Sequence, residues 1–307
     1  MVKHTMPQIP LVITHRGLEP SRPHFYPESS YQSFQNHIER GFGIEFDPNF
    51  YKGGILVSHD QDLTRITNGK DTRKFSDVPL EEICNIVYGT NNNGRIALFH
   101  EILNLITQSK SELHALHLKG IHQTKEKIDV LLSEIKNFPG ASQKILIFDV
   151  RPEFAIYIKQ KMPSILLAPS LAHEYDISRY NHVVNGTLLS TNDAIRYKRQ
   201  GIYDWVWLDE WDRYLPDGGD PSTRAKHGTG QSKTLYNKEN FELLRKNGFK
   251  IALVTPELHG TSPGLLAGES HQDALNHQTL KKRLQEIITL KPDAMCTDWP
   301  DLVKSMM

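Results

Sequence analysis

Short apolar runs rich in strand formers alternate with helix-length amphipathic stretches along this chain, and few architectures accept that pattern. The spacing predicts strands at Leu11–His15, Gly43–Asp47, Leu113–Leu118, Lys144–Asp149, Ile165–Ala168, Tyr203–Leu208, Phe249–Val254 and Asp293–Thr297. Helices are predicted near Ser29–Arg40, Phe99–Thr107, Thr124–Asn137, Pro152–Lys161, Asp193–Arg199, Lys238–Asn247 and Leu275–Thr289. The helix near Lys238 carries Phe241, Leu244 and Arg245 at helical spacing and stops at Gly248, a residue suited to the turn that closes a helix. Strands alternating with helices imply parallel βα units, and a closed barrel accounts for their count. The expected class is therefore α/β, a (β/α)8 TIM barrel. An open doubly wound sheet is the rival, weakened because no Gly-x-Gly-x-x-Gly turn follows the first strand.

Two segments break the alternation. Residues 51–98 are longer than an ordinary strand-to-helix loop, and they hold the strand-like Ile55–Ser58 and a turn-rich stretch at Asn91–Gly94. They read as a small subdomain inserted after the second strand. Residues 209–236 are rich in Gly, Asp, Ser and aromatics and read as a lid or as a disordered surface loop. Both follow barrel strands, so both belong to the face where barrel sites form. Residues 1–307 are expected to make one barrel domain that includes the insertion.

Lys and Arg together number 36, as do Asp and Glu, so no bulk field draws the chain to nucleic acid or an anionic membrane. Cys84 and Cys296 are the only cysteines, too far apart for a zinc knuckle or disulfide framework, and each is expected as a small buried side chain. No apolar run reaches the roughly 18 residues a membrane span needs. Met1 to Pro10 has one Lys and no apolar segment, so no secretion signal is read there. The expectation is a cytoplasmic enzyme with a small-molecule substrate; the sequence carries no signal of oligomeric state.

Four pieces near the N-terminus carry chemistry: His15-Arg16-Gly17, Tyr26-Pro27-Glu28-Ser29-Ser30, Glu45-Phe46-Asp47, and Ser58-His59-Asp60 ahead of Leu63-Thr64-Arg65 and Thr67-Asn68-Gly69. Strand alternation puts Glu45 and Asp47 on one face. Two carboxylates pointing the same way repel unless a cation lies between them. Histidines titrate near neutrality, and phosphodiester cleavage needs one proton removed and one delivered. Arg16 offers a forked donor for phosphate oxygens. Each piece alone is also compatible with a solvated strand end or a structural histidine.

Taken in order, the set resembles the glycerophosphodiester phosphodiesterase family, of the phospholipase C-like phosphodiesterase superfamily. That family has His-Arg-Gly ending the first strand, then Pro-Glu-Asn-Thr, Glu-x-Asp, and His-Asp followed by Leu-x-Arg-x-Thr-x-Gly. Weaker similarity runs on through Ile96 to Leu103, with Glu101 in place, through Gly248 to Val254, and to Thr297-Asp298-Trp299-Pro300. The resemblance implies a barrel with a subdomain inserted after the second strand, and a metal-dependent phosphoric diester hydrolase. It also implies that Glu45 and Asp47 bind one divalent cation, Mg²⁺ or Ca²⁺ foremost, that His15 and His59 act as general base and acid, and that Arg16 contacts the phosphate. The substrate would be a glycerophosphodiester or a related polyol or sugar phosphodiester, cleaved to an alcohol and a phosphomonoester. The alternatives are a lyase that stops at a cyclic phosphate and a silent barrel that only binds phosphodiesters.

The chain departs from the family on the third strand, where Glu-x-Lys becomes His117-Leu118-Lys119. His117 and Lys119 share a strand face, so His117 can still reach the metal and Lys119 the phosphate. A neutral imidazole in place of a carboxylate removes a negative charge, which weakens hard cations and favours Mn²⁺ or Zn²⁺. Asp149, at the end of the fourth strand, is the other candidate for the missing ligand. Where the family often has an aromatic residue followed by Thr on the penultimate strand, this chain has Val254-Thr255-Pro256-Glu257-Leu258-His259-Gly260, and Glu257 and His259 would overlook the site from a loop, where they could recognise an alcohol group, with ordinary loop residues as the competing reading. The run Trp205 to Trp211 offers Trp207 as a sugar- or glycerol-binding wall, with a plain core strand as the competing reading.

Overall fold

Parallel strands leave no residue for a tight reverse turn, so every strand must be followed by a crossover and the sheet must bury both faces. The computed structural model describes residues 9–22, 24–86, 88, 94–210, 235–257 and 272–307. Its strands in chain order are β1 (Leu11–Thr14), β2 (Gly43–Phe46), β3 (Pro48–Tyr51), β4 (Gly54–Val57), β5 (Ala97–Leu98), β6 (His114–His117), β7 (Ile145–Phe148), β8 (Leu166–Leu167), β9 (Ser170–Leu171), β10 (Leu188–Leu189), β11 (Trp205–Leu208), β12 (Lys250–Val254) and β13 (Ala294–Thr297). Ten of them form one parallel sheet in the order β10-β9-β11-β12-β13-β1-β2-β6-β7-β8.

That order is rolled into a barrel by one short segment. β8 pairs with β7, while β9, just beyond it, pairs with β11. Backbone bonds from Asp204 N to Leu167 O and from Trp207 N to Pro169 O, each 3.0 Å, lace the same segment to β11. Segment 166–171 therefore joins both ends of the sheet. The predicted eight strands are all present in this ring, with Ile165–Ala168 extended through β9. The small outlying β10 and the helix Glu174–Tyr180 are not legible in the sequence, because such short pieces carry no clear periodicity.

Alternation along each strand divides the core in two. Ile13, Ala115, Leu146, Phe148, Trp205, Trp207, Ala252, Val254, Ala294 and Cys296 pack together inside the barrel. The residues between them, including Ile44, Phe46, Leu116, Ile147, Val206, Leu253 and Met295, pack in the larger core that includes helix residues such as Phe34, Ile102, Leu131 and Leu284. Side-chain caps fix the helix starts: Thr124 for Lys125–Lys136, Asn237 for Lys238–Lys246 and Asn276 for His277–Thr289. Among the described residues no helix is long and apolar enough to cross a membrane.

β3, β4 and β5 form a separate antiparallel sheet, the subdomain inserted after β2. It has its own core of Leu56, Leu63, Ile66, Phe75, Val78, Ile83, Tyr88 and Ile96. Cys296 is buried inside the barrel as expected, but Cys84 is exposed. It caps the short helix Leu80–Ile83, whose inward side is taken by Ile83 instead. Residues 211–234 of the candidate lid, and His259, lie outside the described residues.

Two fully buried histidines are locked neutral by this packing. His114 Nδ1 accepts the backbone N–H of Ile44 (3.2 Å), and burial and Lys144 push its pKa down to about 3. Burial and Arg40 do the same to His37, which also reaches about 3. Both values lie below the unfolded value near 6.5, so the unfolded chain binds more protons in acid. The stability they support is complete above about pH 6.5 and is lost as pH falls toward 3, at up to about 1.4 kcal/mol per pH unit for each histidine. Urea unfolding followed from pH 7 to pH 4 should show this slope. His114→Asn, which keeps an acceptor for Ile44 but cannot be protonated, should flatten it. An unchanged slope in that variant would remove His114 from the account.

Candidate active site

The inward-facing register continues one step past the strand ends, and that step places the polar residues. Ile13 faces the barrel interior, so His15 does too; Cys296 leads likewise to Asp298, and Ala115 to His117. β1 lies between β13 and β2, which brings His15 beside Asp298 and the Glu45–Asp47 pair.

His15, Arg16 and Gly17 form a tight turn in which Arg16 takes the left-handed conformation at φ +50°. A non-glycine residue there is strained, a feature that clusters at functional sites. A Cβ at Gly17 would lie 2.1 Å from Ser33 Oγ, so the turn requires glycine. The turn points the Arg16 backbone N–H at Glu45 Oε2 (3.1 Å). Arg16 Nε is buried without a hydrogen-bond partner among the described residues. Its guanidinium stays firmly charged: burial works against it, but Glu28, Asp47, Glu45 and Glu257 outweigh burial.

Each of the two histidines singled out by sequence is held at Nδ1 by an aspartate. His15 lies 2.8 Å from Asp298 Oδ1 and 3.3 Å from Glu257 Oε1. His59 lies 2.8 Å from Asp60 Oδ1. Ionised carboxylates only accept, so the proton sits on Nδ1 of each ring. The surroundings then separate them. Burial would lower the His15 pKa, but Glu257 and Asp298 overcome it and Arg16, lifting His15 to about 9. Burial, Arg16 and Lys119 push His59 down to about 3. Burial pushes Glu257 up to about 8 against the attraction of His15.

Beyond β2 the chain runs directly into β3, and the β3–β4 hairpin delivers His59. Ser58 N donates to Asp47 O (3.0 Å), and Asn49 Nδ2 donates to the carbonyls of Ser58 (2.5 Å) and Asp60 (2.8 Å). His122 Nε2 meets Asn49 Oδ1 at 3.0 Å from the other side. Lys119 Nζ donates to His59 O and lies 3.3 Å from Asp47 Oδ1.

Glu45, Asp47 and His117 offer ligand atoms that all lie within 4.8 Å of one another. Burial and Asp47 raise the Glu45 pKa. Burial would raise Asp47 as well, but Lys119, His59 and His117 hold it well below the usual carboxylate range. Asp47 Oδ2 has no hydrogen-bond partner among the described residues. An orphaned buried oxygen between a raised and a lowered carboxylate is a donor set that fits a divalent cation. His117 is bound on both ring nitrogens, Nδ1 to Asp47 Oδ1 (2.9 Å) and Nε2 to Asp149 Oδ2 (3.4 Å). Burial would lower its pKa, but those two carboxylates lift it to about 9. Asp149 reaches it from a left-handed backbone, φ +65°.

The His117 ring stacks on Phe148 at 4.7 Å, and Phe148 stacks on Trp207 at 3.8 Å, so a ladder of rings fixes the imidazole plane. Trp207 is buried inside the barrel beneath Phe148, and Glu257 lies against His15. The sequence reading gave no partner to Asp298, 283 residues from His15. Its signals were the Thr297-Asp298-Trp299-Pro300 run and its position after the last inward-facing strand residue.

A family model described as the glycerophosphoryl diester phosphodiesterase family matches residues 15–194, more than half of the chain. No curated protein matches it. Among solved structures, the chain is similar to a glycerophosphoryl diester phosphodiesterase from Parabacteroides distasonis (20% identity, 99% of this chain and 88% of that one, TM-score 0.62). It is also similar to an Oleispira antarctica phosphodiesterase in complex with its product sn-glycerol-3-phosphate (16%, 97% and 96%, TM-score 0.62). A third is a glycerophosphodiester phosphodiesterase from Agrobacterium tumefaciens (15%, 96% and 99%, TM-score 0.58). At these identities the likeness speaks for the fold.

The charge argument gives a direct expectation for the donor set. His117→Glu replaces a nitrogen with a carboxylate and should tighten Mg²⁺ or Ca²⁺ by roughly tenfold or more, read by isothermal titration. Unchanged affinity would place His117 outside the metal's ligands.

Proposed function

The chain belongs to the glycerophosphoryl diester phosphodiesterase family and is a phosphoric diester hydrolase, and from that premise we propose that it hydrolyses a glycerophosphodiester or related polyol phosphodiester at the β1–β2–β6 end of the barrel. The observation that carries this reading is the convergence there of two aspartate-held histidines, two cations and the Glu45–Asp47–His117 donor set.

Arg16 and Lys119 would take the phosphate oxygens, and each already lies near the carboxylates of the donor set. Glu45 and Asp47 would hold a divalent cation, joined by His117 once it gives up the second proton it carries between Asp47 and Asp149, with Mg²⁺ or Ca²⁺ foremost and Mn²⁺ or Zn²⁺ if nitrogen ligation dominates. Such an ion neutralises charge that develops on the phosphoryl oxygens. Asp149 steadies His117 from its far nitrogen.

The acid–base pair is His15 and His59. In the resting site His15 keeps a second proton and can donate, while neutral His59 has its lone pair on Nε2 and can accept. This order is the reverse of the one that the resemblance implies. If a neighbouring hydroxyl of the substrate attacks first and water completes the hydrolysis, each histidine serves once in each role. Glu257 then acts through His15, and Trp207 through the ring ladder, rather than by touching the alcohol.

Protein stripped of metal and resupplied singly with Mg²⁺, Ca²⁺, Mn²⁺ and Zn²⁺ should recover hydrolysis of glycerophosphodiesters with at least one ion. Folded protein silent with all four would overturn the proposal. Phosphorus NMR of the product separates hydrolase from lyase, because a cyclic phosphate that persists would mark the latter. His15→Ala and His59→Ala should each lower turnover by at least the roughly 100-fold typical of losing an acid–base group, with metal content unchanged. Near wild-type turnover in either would reject that residue.

A further inference from the structure

The strand ladder of the β3–β4 hairpin ends at the Pro48–Val57 pair, just short of the segment that carries His59. Ser58, His59 and Asp60 need other support, and side chains supply it. Asn49 Nδ2 donates to Ser58 O (2.5 Å) and Asp60 O (2.8 Å), and Lys119 Nζ donates to His59 O, so three successive carbonyls around the ring are held by two side chains. Asn49 is buried, and its amide turned end for end would set an oxygen against two carbonyl oxygens.

The orientation of that amide is set from its other side. His122, also buried, lies with Nε2 3.0 Å from Asn49 Oδ1, and its Nδ1 lies 3.1 Å from Lys127 Nζ. An ammonium only donates, so Nδ1 accepts, and the His122 proton sits on Nε2, aimed at the amide oxygen. Burial, Lys127 and Lys119 push the His122 pKa down to about 3, which keeps the ring neutral. Phe50, the residue after Asn49, completes the seat: its ring stands 5.1 Å from the imidazole, and Lys127 Nζ lies 5.5 Å over its face. The turn Gly120–His122 follows Lys119 directly, and Lys119 O accepts from His122 N (2.8 Å). One turn thus governs the backbone around His59, through Lys119 at once and through His122 and Asn49 in series.

We infer that His122 and Asn49 are positioning residues for the proton transfer at His59: His122 fixes which way the Asn49 amide points, and the amide fixes the backbone on both sides of the ring. The inference deepens the phosphodiesterase reading and rests on it for any effect on turnover. Loss of the His122 donor misplaces the His59 ring without removing it, so it slows the chemical step and leaves substrate binding nearly as it was.

The test uses His122→Phe, which keeps a ring beside Phe50 but has no proton for the amide, and His122→Gln, whose side-chain N–H can reach the same oxygen. In folded protein resupplied with metal, His122→Phe should lower kcat about tenfold with KM little changed, and His122→Gln should recover most of the loss. NMR of the imidazole nitrogens gives a readout that needs no turnover. Wild-type His122 should show a protonated Nε2 and a bare Nδ1 at neutral pH. His59 should hold its single Nδ1–H tautomer in the wild type and mix both tautomers in His122→Phe. An unchanged kcat in His122→Phe, a loss that His122→Gln does not recover, a His122 proton on Nδ1, or a His59 tautomer indifferent to the variant would overturn the inference. A chain silent on every glycerophosphodiester, whose His59 still responds to His122→Phe, would sink the proposed reaction and leave the positioning chain standing.

Discussion

A carboxylate as deeply buried as Asp47 stays ionised only if positive charge is built around it. Lys119 and His117 reach it directly, Arg16 acts on it through space, neutral His59 lies close by, and one of its oxygens has no hydrogen bond among the described residues. Those groups come from three separate places in the chain, and each is held by a different device. Lys119 follows the β6 strand end, His117 is clamped by a second carboxylate, His59 hangs on a hairpin, and Arg16 sits in a strained turn. Neutralising Asp47 would leave Lys119, His117 and Arg16 facing each other in a dry interior.

The same economy explains why the two histidines differ so much. Both are buried and both give Nδ1 to an aspartate. His15 has a second carboxylate beside it, whereas His59 faces Arg16 and Lys119. A few neighbouring charges, not the histidines themselves, set which ring carries the extra proton. The sheet order makes this arrangement possible, since the last strand returns beside the first and sets Asp298 against His15.

Much of this was legible in the chain itself. The barrel strands could be read because a parallel sheet buried on both faces writes each strand as a short apolar run between amphipathic helices. His15, Arg16, Glu45, Asp47 and His59 could be put forward because short motifs keep chemistry-bearing residues close in sequence, and the structure brings these residues together. Asp298 lay in the closing Thr297-Asp298-Trp299-Pro300 run, but its partnership with His15 had no linear trace, because it exists only through ring closure. The Phe148 rung between His117 and Trp207 was hidden for a similar reason: a phenylalanine in a strand reads as core whatever it stacks on. His122 and Asn49 come from the turn after β6 and from the start of the insertion, so their meeting was equally hidden. The extra strand at Leu188–Leu189 was missed because two residues cannot show a period.

The hairpin that carries His59 begins one residue after Asp47 and returns its backbone to Asp47 through Ser58. Asp47 and the His59 ring are thus mechanically a single piece, sealed by Asn49. Beyond Asp60, Leu63, Ile66, Phe75, Val78, Ile83, Tyr88 and Ile96 pack on one small core, and the chain rejoins the barrel at Phe99. Such a lobe is mechanically semi-independent: its loops can shift or change length on their own core while Ile55 and Val57 keep the hairpin seated in the larger core of the barrel.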